Sequence, residues 1–189
     1  MEWFERYRDK LGVRLDTFEL LFRTATERGL KNVVETGTAR GKYKFYYFKP
    51  KLNWDDGMST IMFANYSMVT KGNFWSCDID KKNIKNAQKF LRDYNLSGNL
   101  VVSDSLEFLN DFDKTIDILY LDSLDGQMPG SNEHQLKEAQ ISINKMNPKG
   151  LIMLDDKGQK TELSLSFYIE KSWEVKFETD YQIILQKKM

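Results

Sequence analysis

From residue 32 onward, short apolar strands alternate with amphipathic helices and then the alternation stops, a pattern that excludes most folds. Strands are expected over 32–36, 73–78, 99–103, 116–121 and 150–155, and helices over about 58–70, 81–95, 105–111, 132–146 and 161–171. A helix between successive strands imposes parallel pairing through right-handed crossovers. The ending differs. Trp173 to Phe177 and Tyr181 to Leu185 alternate and are parted only by Glu178, Thr179 and Asp180, too few residues for a crossover helix. They must form an antiparallel hairpin. The chain is therefore expected to fold as an α/β protein with a doubly wound, mostly parallel sheet closed by that hairpin. Residues 3–11 and 16–29 show helical apolar spacing, the second stretch with Asp16 as expected N-cap, and read as leading helices over the sheet. No internal repeat or linker breaks the 189 residues, which read as one domain able to bury about 70% of its unfolded surface.

The first strand runs into a turn, Val33-Val34-Glu35-Thr36-Gly37-Thr38-Ala39-Arg40-Gly41. An acid followed by spaced glycines at the carboxyl edge of a parallel sheet points to a nucleotide-type cofactor. Gly37 admits close backbone approach, and Glu35 offers a carboxylate to an ammonium or hydroxyl group. Acids recur where the later strands should end: Asp78, Asp104, Asp122 and Asp155. A dinucleotide fingerprint would need glycines at 37, 39 and 42, but Ala39 and Lys42 stand at two of these positions. No P-loop and no Gly-x-Ser-x-Gly elbow occur, which disfavours a phosphate-cradling NTPase and a serine hydrolase.

Lys plus Arg (28) equals Asp plus Glu (28), so no global field draws the chain to nucleic acid or an anionic membrane. The one cysteine, Cys77, and one histidine, His134, exclude an internal disulfide and the usual Cys/His zinc sets. No apolar run approaches the ~18 residues of a spanning helix, and the charged N-terminus does not read as a signal peptide. A cytoplasmic protein that does not engage a membrane is expected.

In these residues the chain resembles the Rossmann-like (class I) S-adenosylmethionine-dependent methyltransferases, from about residue 14 to the end. The family's acid-x-Gly-x-Gly-x-Gly motif stands here as Glu35-Thr36-Gly37-Thr38-Ala39-Arg40-Gly41, with alanine for the middle glycine. The resemblance implies strand order 3-2-1-4-5-7-6 and S-adenosylmethionine as cofactor. It also implies cofactor contacts from Glu35, Gly37, Thr38, Gly41, Ser59, Ile79 and Asp122. Asp78 would accept from both ribose hydroxyls, as a carboxylate suits a vicinal diol, while Asp80, the competing choice, reads rather as the start of the following helix. Asp104, with Ser105 beside it, would read the adenine amine. Each acid also has a bland reading as a helix N-cap.

Asp122 ends the fourth strand and Asp155-Asp156 end the fifth, and neighbouring strand ends lie about 5 Å apart. This is similar to the divalent-metal O-methyltransferases related to catechol O-methyltransferase, with Asp156 where they carry Asn. The resemblance implies Mg²⁺ or another divalent cation on Asp122, Asp155 and Asp156, holding a small-molecule hydroxyl in line with the sulfonium methyl. The alternative is that these acids line the cofactor pocket or end strands. Asp122 and Asp155 are catalytic candidates on the first view, joined by His134, the chain's one general base of near-neutral pKa, whose other reading is a surface or capping residue. A related group of poorly assigned bacterial and viral methyltransferase-like proteins shows a similar Asp-Ser-x-Asp segment followed by such a His-Gln-x-x-Glu helix.

Segment 42–57 looks inserted, and its interleaved cations and aromatics read as a lid or acceptor wall, as packing or a dimer contact, or as a nucleic-acid surface. Trp3 and Phe4 offer an apolar patch for a homodimer. The activity expected is methyl transfer to a small molecule, most simply at oxygen. The rivals are a metal-free transferase acting on nitrogen or nucleic acid, and a cofactor-binding subunit without activity.

Overall fold

The computed structural model describes residues 1–41, 43–46, 49–52, 54 and 58–188. Its elements in chain order begin with α1 (Glu2–Glu5), α2 (Leu15–Glu27), β1 (Asn32–Thr36), β2 (Tyr43–Tyr46), β3 (Lys49–Leu52), α3 (Ser59–Thr70), β4 (Asn73–Asp78) and α4 (Lys81–Asp93). They continue with β5 (Asn99–Val102), α5 (Ser105–Asp111), β6 (Ile116–Leu121), α6 (Ser131–Ser142), β7 (Met146–Leu154), α7 (Glu162–Glu170), β8 (Trp173–Glu178) and β9 (Ile183–Lys187).

Seven strands form one sheet in the order β5-β4-β1-β6-β7-β9-β8. Numbered along the sheet's own strands, this is the expected 3-2-1-4-5-7-6. β1 pairs in parallel with both β4 and β6, so the chain winds away from it in two directions. The crevice left at that switch, beyond the carboxyl ends, is where such sheets bind ligands. β9 runs antiparallel between β7 and β8, which is the expected hairpin.

Alternation along the central strands divides the core in two. Val33, Ile118, Tyr120, Leu151 and Met153 pack with Phe18, Phe22, Phe63 and Phe90 of α2, α3 and α4. Val34, Leu119, Leu121, Ile152 and Leu154 pack with Phe108, Leu109, Ala139 and Tyr168 of α5, α6 and α7. Strands buried on both faces read as continuous apolar runs, and each fully buried side chain contributes about 1.5–3 kcal/mol. α3 is buried from Ser59 through Ser67, because α1 and α4 cover what the sheet does not.

Four expectations change. Asp16 lies in the first turn of α2, whose N-cap is Arg14 without a side-chain cap. The helix expected to reach 146 ends at Ser142 with a 3₁₀ turn, and β7 starts at Met146 and runs through Asn147, which Pro148 holds to extended backbone. The helix expected over 3–11 is only Glu2–Glu5 followed by a 3₁₀ turn. Phe4 is buried, so it belongs to the core and not to a surface patch, while the half-buried Trp3 packs edge-on against Phe22 with ring centres 5.1 Å apart.

The segment read as an insertion contributes the antiparallel pair β2–β3, outside the main sheet. Trp54 ties it to the domain, 5.5 Å from Tyr7 and 6.4 Å from Tyr94 between ring centres. The readings placed on 42, 47, 48, 53 and 55–57 fall outside the described residues. Among the described residues no helix is long and apolar enough to cross a membrane.

Candidate cofactor and acceptor cleft

Gly37 follows β1 with φ +79°, and its amide donates to the Cys77 carbonyl at 2.9 Å. A Cβ there would lie 2.2 Å from the Asp122 carbonyl oxygen, so the turn is pressed against the end of β6 as only glycine allows. The turn is held from below by Glu35. Its carboxylate accepts from Ser59 Oγ at 2.6 Å, Thr60 Oγ1 at 2.7 Å and Ser76 Oγ at 2.7 Å, and Thr60 Oγ1 in turn accepts from the Ala39 amide at 2.9 Å. Glu35 is therefore wholly buried and absent from the cleft wall, contrary to the contact expected of it. A Cβ on Gly41 would strike the Phe90 ring at 2.3 Å, so its smallness serves the packing of α4.

Burial pushes the Glu35 carboxyl up to about 7 from an ordinary 4.5, against the pull of its three hydroxyl donors. Below pH 4.5 both folded and unfolded chains hold this proton. Between about 4.5 and 7 the unfolded chain loses it while the folded chain keeps it, so stability falls by up to about 1.4 kcal/mol per pH unit and levels off above 7. Glu35→Gln has no such proton, so its stability deficit relative to wild type should shrink by that amount across the window. Urea unfolding of both proteins from about pH 5 to 8 checks this, and a pH-independent difference would contradict it.

Beyond the turn lies a cleft of two adjoining lobes, each of ≈ 230 Å³, with Gly37, Asp78, Ile79, Ser123 and Leu124 common to both. Together they fall within the few hundred Å³ usual for small-molecule sites. Asp78 ends β4 at the junction. It accepts from the Thr38 amide at 3.3 Å, the Asp80 amide at 2.8 Å and Asn83 Nδ2 at 3.1 Å, which fixes both its oxygens. Asp80 caps α4 through the Lys82 amide, as expected.

One lobe carries Ser103, Asp104, Ser105 and His134. Asp104 is the N-cap of α5, accepting from the Leu106 amide at 2.8 Å, and also lines the lobe, so its two readings coexist. His134 Nε2 lies 2.8 Å from Ser105 Oγ and 3.8 Å from Glu138 Oε1. A hydrolytic relay needs its acid on the other ring nitrogen. His134 does not line the lobe that Asp122 lines, because the start of α6 abuts the start of α5. Glu138, behind it, is buried among the hydroxyls of Ser105, Ser123 and Thr36, and burial raises its carboxyl pKa.

The other lobe carries Thr38, Arg40, Ser59, Asp80, Asp122 and Asp125. Arg40 grips Asp125 in a two-pronged pair at 2.9 and 2.7 Å, joining the glycine turn to the loop after β6. Beside this lobe Asp122, Asp155 and Asp156 converge, with one oxygen of each within 4.8 Å of the others. The convergence expected of the strand ends is present, but the chain supplies its own cations to it. Lys160 Nζ lies 3.1 Å from Asp122 Oδ1 and 3.2 Å from Asp156 Oδ2, and Arg14 Nη2 lies 3.5 Å from Asp155 Oδ2. Asp155 also accepts from Gln182 Nε2 at 2.6 Å and is 1% exposed, withdrawn from the cleft where a catalytic role would need it. A divalent cation does not fit this set while Lys160 stands in it.

Lys160, Arg14, Thr60, Asn83 and Gln182 are the residues that sequence reasoning misses. The one local signal is Gly158, whose φ of +137° turns the chain so that Lys160 reaches back to Asp156.

The sequence profile of the spermine/spermidine synthase domain matches residues 55–185, more than half of the chain. A sequence search of curated proteins finds no match. Among solved structures, a methyltransferase from Podospora anserina bound to S-adenosylhomocysteine superposes with TM-score 0.67 at 13% identity, covering 100% of this chain and 87% of that one. An O-methyltransferase from Bacillus cereus in complex with S-adenosylhomocysteine gives 0.63 at 14%, covering 91% and 81%. An rRNA methylase from Streptococcus thermophilus gives 0.64 at 10%, covering 94% and 97%.

Proposed function

The chain belongs to the spermine/spermidine synthase domain family and has the fold of the class I S-adenosylmethionine-dependent methyltransferases, and from that premise we propose that it methylates a hydroxyl group of a small molecule. The observation that carries the donor half of this reading is Asp78, a fixed carboxylate on the wall shared by both lobes. A ribose seated there would present its two hydroxyls to Asp78 Oδ1 and Oδ2. Adenine would then lie towards Asp104, Ser105 and His134, against Ile79 and Leu124, and the amino-acid part towards Thr38, Ser59 and Arg40. Arg40, whose fork is held by Asp125, is the one cationic side chain among the described residues lining its lobe, and its positive charge favours the donor's carboxylate at that end.

S-adenosylmethionine, when bound, supplies a methyl group already activated by its sulfonium. The chain must position the acceptor and remove its proton. Asp122 is the group placed to take that proton. It lines the lobe of Thr38, Ser59 and Arg40, where donor and acceptor would meet, Lys160 holds its Oδ1, and burial with the neighbouring Asp155 raises its proton affinity, partly offset by Lys160. Ser123 and Leu124 wall the cleft beside it. Both roles fall to the chain's own residues.

A second reading, transfer to an amine, draws on the polyamine named in the family's description and on Asp78, Asp80, Asp122 and Asp125 in one lobe, whose charge favours a cationic acceptor. Labelled S-adenosylmethionine offered with panels of phenols and sugars, polyamines and ribosomal RNA separates the readings. Label on a hydroxyl compound, with turnover reduced about 10²- to 10⁴-fold in Asp122→Asn, is expected. Label on amines or RNA alone would replace the acceptor assignment, and donor binding without any transfer would make the chain a non-catalytic subunit.

A further inference from the structure

The acidic cluster at the ends of β6 and β7 is already partnered by cations of the chain itself. Three carboxylates there face two cations, Lys160 and Arg14, and each partner is committed. Asp155 is taken up by Arg14 and Gln182. Asp122 and Asp156 are joined by Lys160, whose side chain is 2% exposed and whose ammonium lies at 3.1 and 3.2 Å from their oxygens. Asp156 also accepts from the Gly126 amide at 3.3 Å and sits at φ +53°, an unusual conformation for a residue with a side chain, which turns its carboxylate towards Lys160. Gly158 and the 3₁₀ turn Gln159–Thr161 then return Lys160 beneath the cleft.

We propose that Lys160 is the resident cation of the acceptor end, occupying the place of a divalent metal between Asp122 and Asp156, so that the protein works without one. The grounds are electrostatic and steric together. A divalent ion joining Asp122 to Asp156 would have to sit within a few Å of the Lys160 ammonium, where like charges repel strongly in a partly desolvated setting. Expelling Lys160 instead would strand a long buried side chain without its partners. Hard cations also require about six oxygen ligands, and Asp155 is already engaged.

Lys160 differs from a metal in one functional respect: being covered, it offers no open position to a substrate oxygen. It acts through Asp122 and Asp156, holding both carboxylates in place, and is a positioning residue. The acceptor's oxygen is then bound by Asp122 itself rather than polarised by a Lewis acid.

This deepens the transferase reading of the same site, but its readout is metal binding and not transfer, so either can fail alone. Thermal unfolding of the full chain is measured in EDTA, Mg²⁺ and Mn²⁺ for wild type, Lys160→Ala and Lys160→Arg. Wild type and Lys160→Arg should keep the same midpoint in all three, since each retains a cation on the two acids. Lys160→Ala should unfold earlier in EDTA and recover several degrees in Mg²⁺ or Mn²⁺, because an ion that binds only the folded state stabilises it. If Lys160→Ala does not fold in EDTA, refolding in Mn²⁺ takes the place of the midpoint, with recovery expected. Stabilisation of wild type by either ion would overturn the proposal, and so would a Lys160→Ala protein that neither ion stabilises or refolds. Titration of S-adenosylmethionine into the same wild-type sample reports on the donor site separately.

Discussion

Gly37→Ala should be the most damaging single-atom addition to this protein. The added Cβ meets the Asp122 carbonyl oxygen at 2.2 Å, and because that atom is backbone, the ends of β1 and β6 must part to admit it. Two strand-end hydrogen bonds are at stake, Gly37 N to Cys77 O at 2.9 Å and Asp122 N to Thr36 O at 3.0 Å. The residue's φ of +79° adds about 1–2 kcal/mol of left-handed strain for any side chain. A total loss of about 3–5 kcal/mol is expected, with loss of donor binding, since the same turn forms the floor of both lobes. Gly29→Ala provides the control, as Gly29 has φ +67° but nothing within 4 Å of an added Cβ. Its loss should be the conformational part alone. Equal urea midpoints for the two variants would show that the close approach at Gly37 contributes nothing.

Asp78→Ala should leave the fold standing and remove the donor. Asp78 lies at the rim of the sheet, and its partners, the Thr38 and Asp80 amides and Asn83, can turn to water when it is cut back. The bound ribose has no such substitute. Two hydrogen bonds to a charged acceptor contribute about 1.5–3 kcal/mol each, so S-adenosylmethionine affinity should fall on the order of 100-fold or more. Asp78→Asn, which keeps one acceptor oxygen, should fall between the two. Asp80→Ala, which removes only a helix cap on the same wall, should change affinity little.

The central strands were legible in the sequence because both their faces are buried. Over 32–36, 73–78 and 116–121 the apolar runs are bounded by polar residues and agree with the structure to the residue. The terminal hairpin was legible for a different reason: three residues cannot hold a crossover. Helix ends were less so, because α6 stops at Ser142 without an obvious stop signal there. Acids at strand ends announced the cleft, and Asp78, Asp104 and Asp122 line it. What the acids do there depends on partners far away in sequence. Arg14 and Gln182 come from opposite ends of the chain to take Asp155, and Lys160, which reads as one more surface lysine, is among the most buried charges in the protein. Glu35 stands in the motif as a ligand group, yet Ser59, Thr60 and Ser76 claim it, and hydroxyls of that kind follow no pattern along the sequence.

The measurement that bears most directly on the cofactor is a calorimetric titration of S-adenosylmethionine into the wild-type chain in EDTA, with Asp78→Ala beside it. The structure predicts one site per chain, micromolar binding in wild type, and its loss in Asp78→Ala while thermal unfolding of the variant stays cooperative. A folded wild-type chain that takes up no S-adenosylmethionine would contradict the donor site and with it the transferase reading.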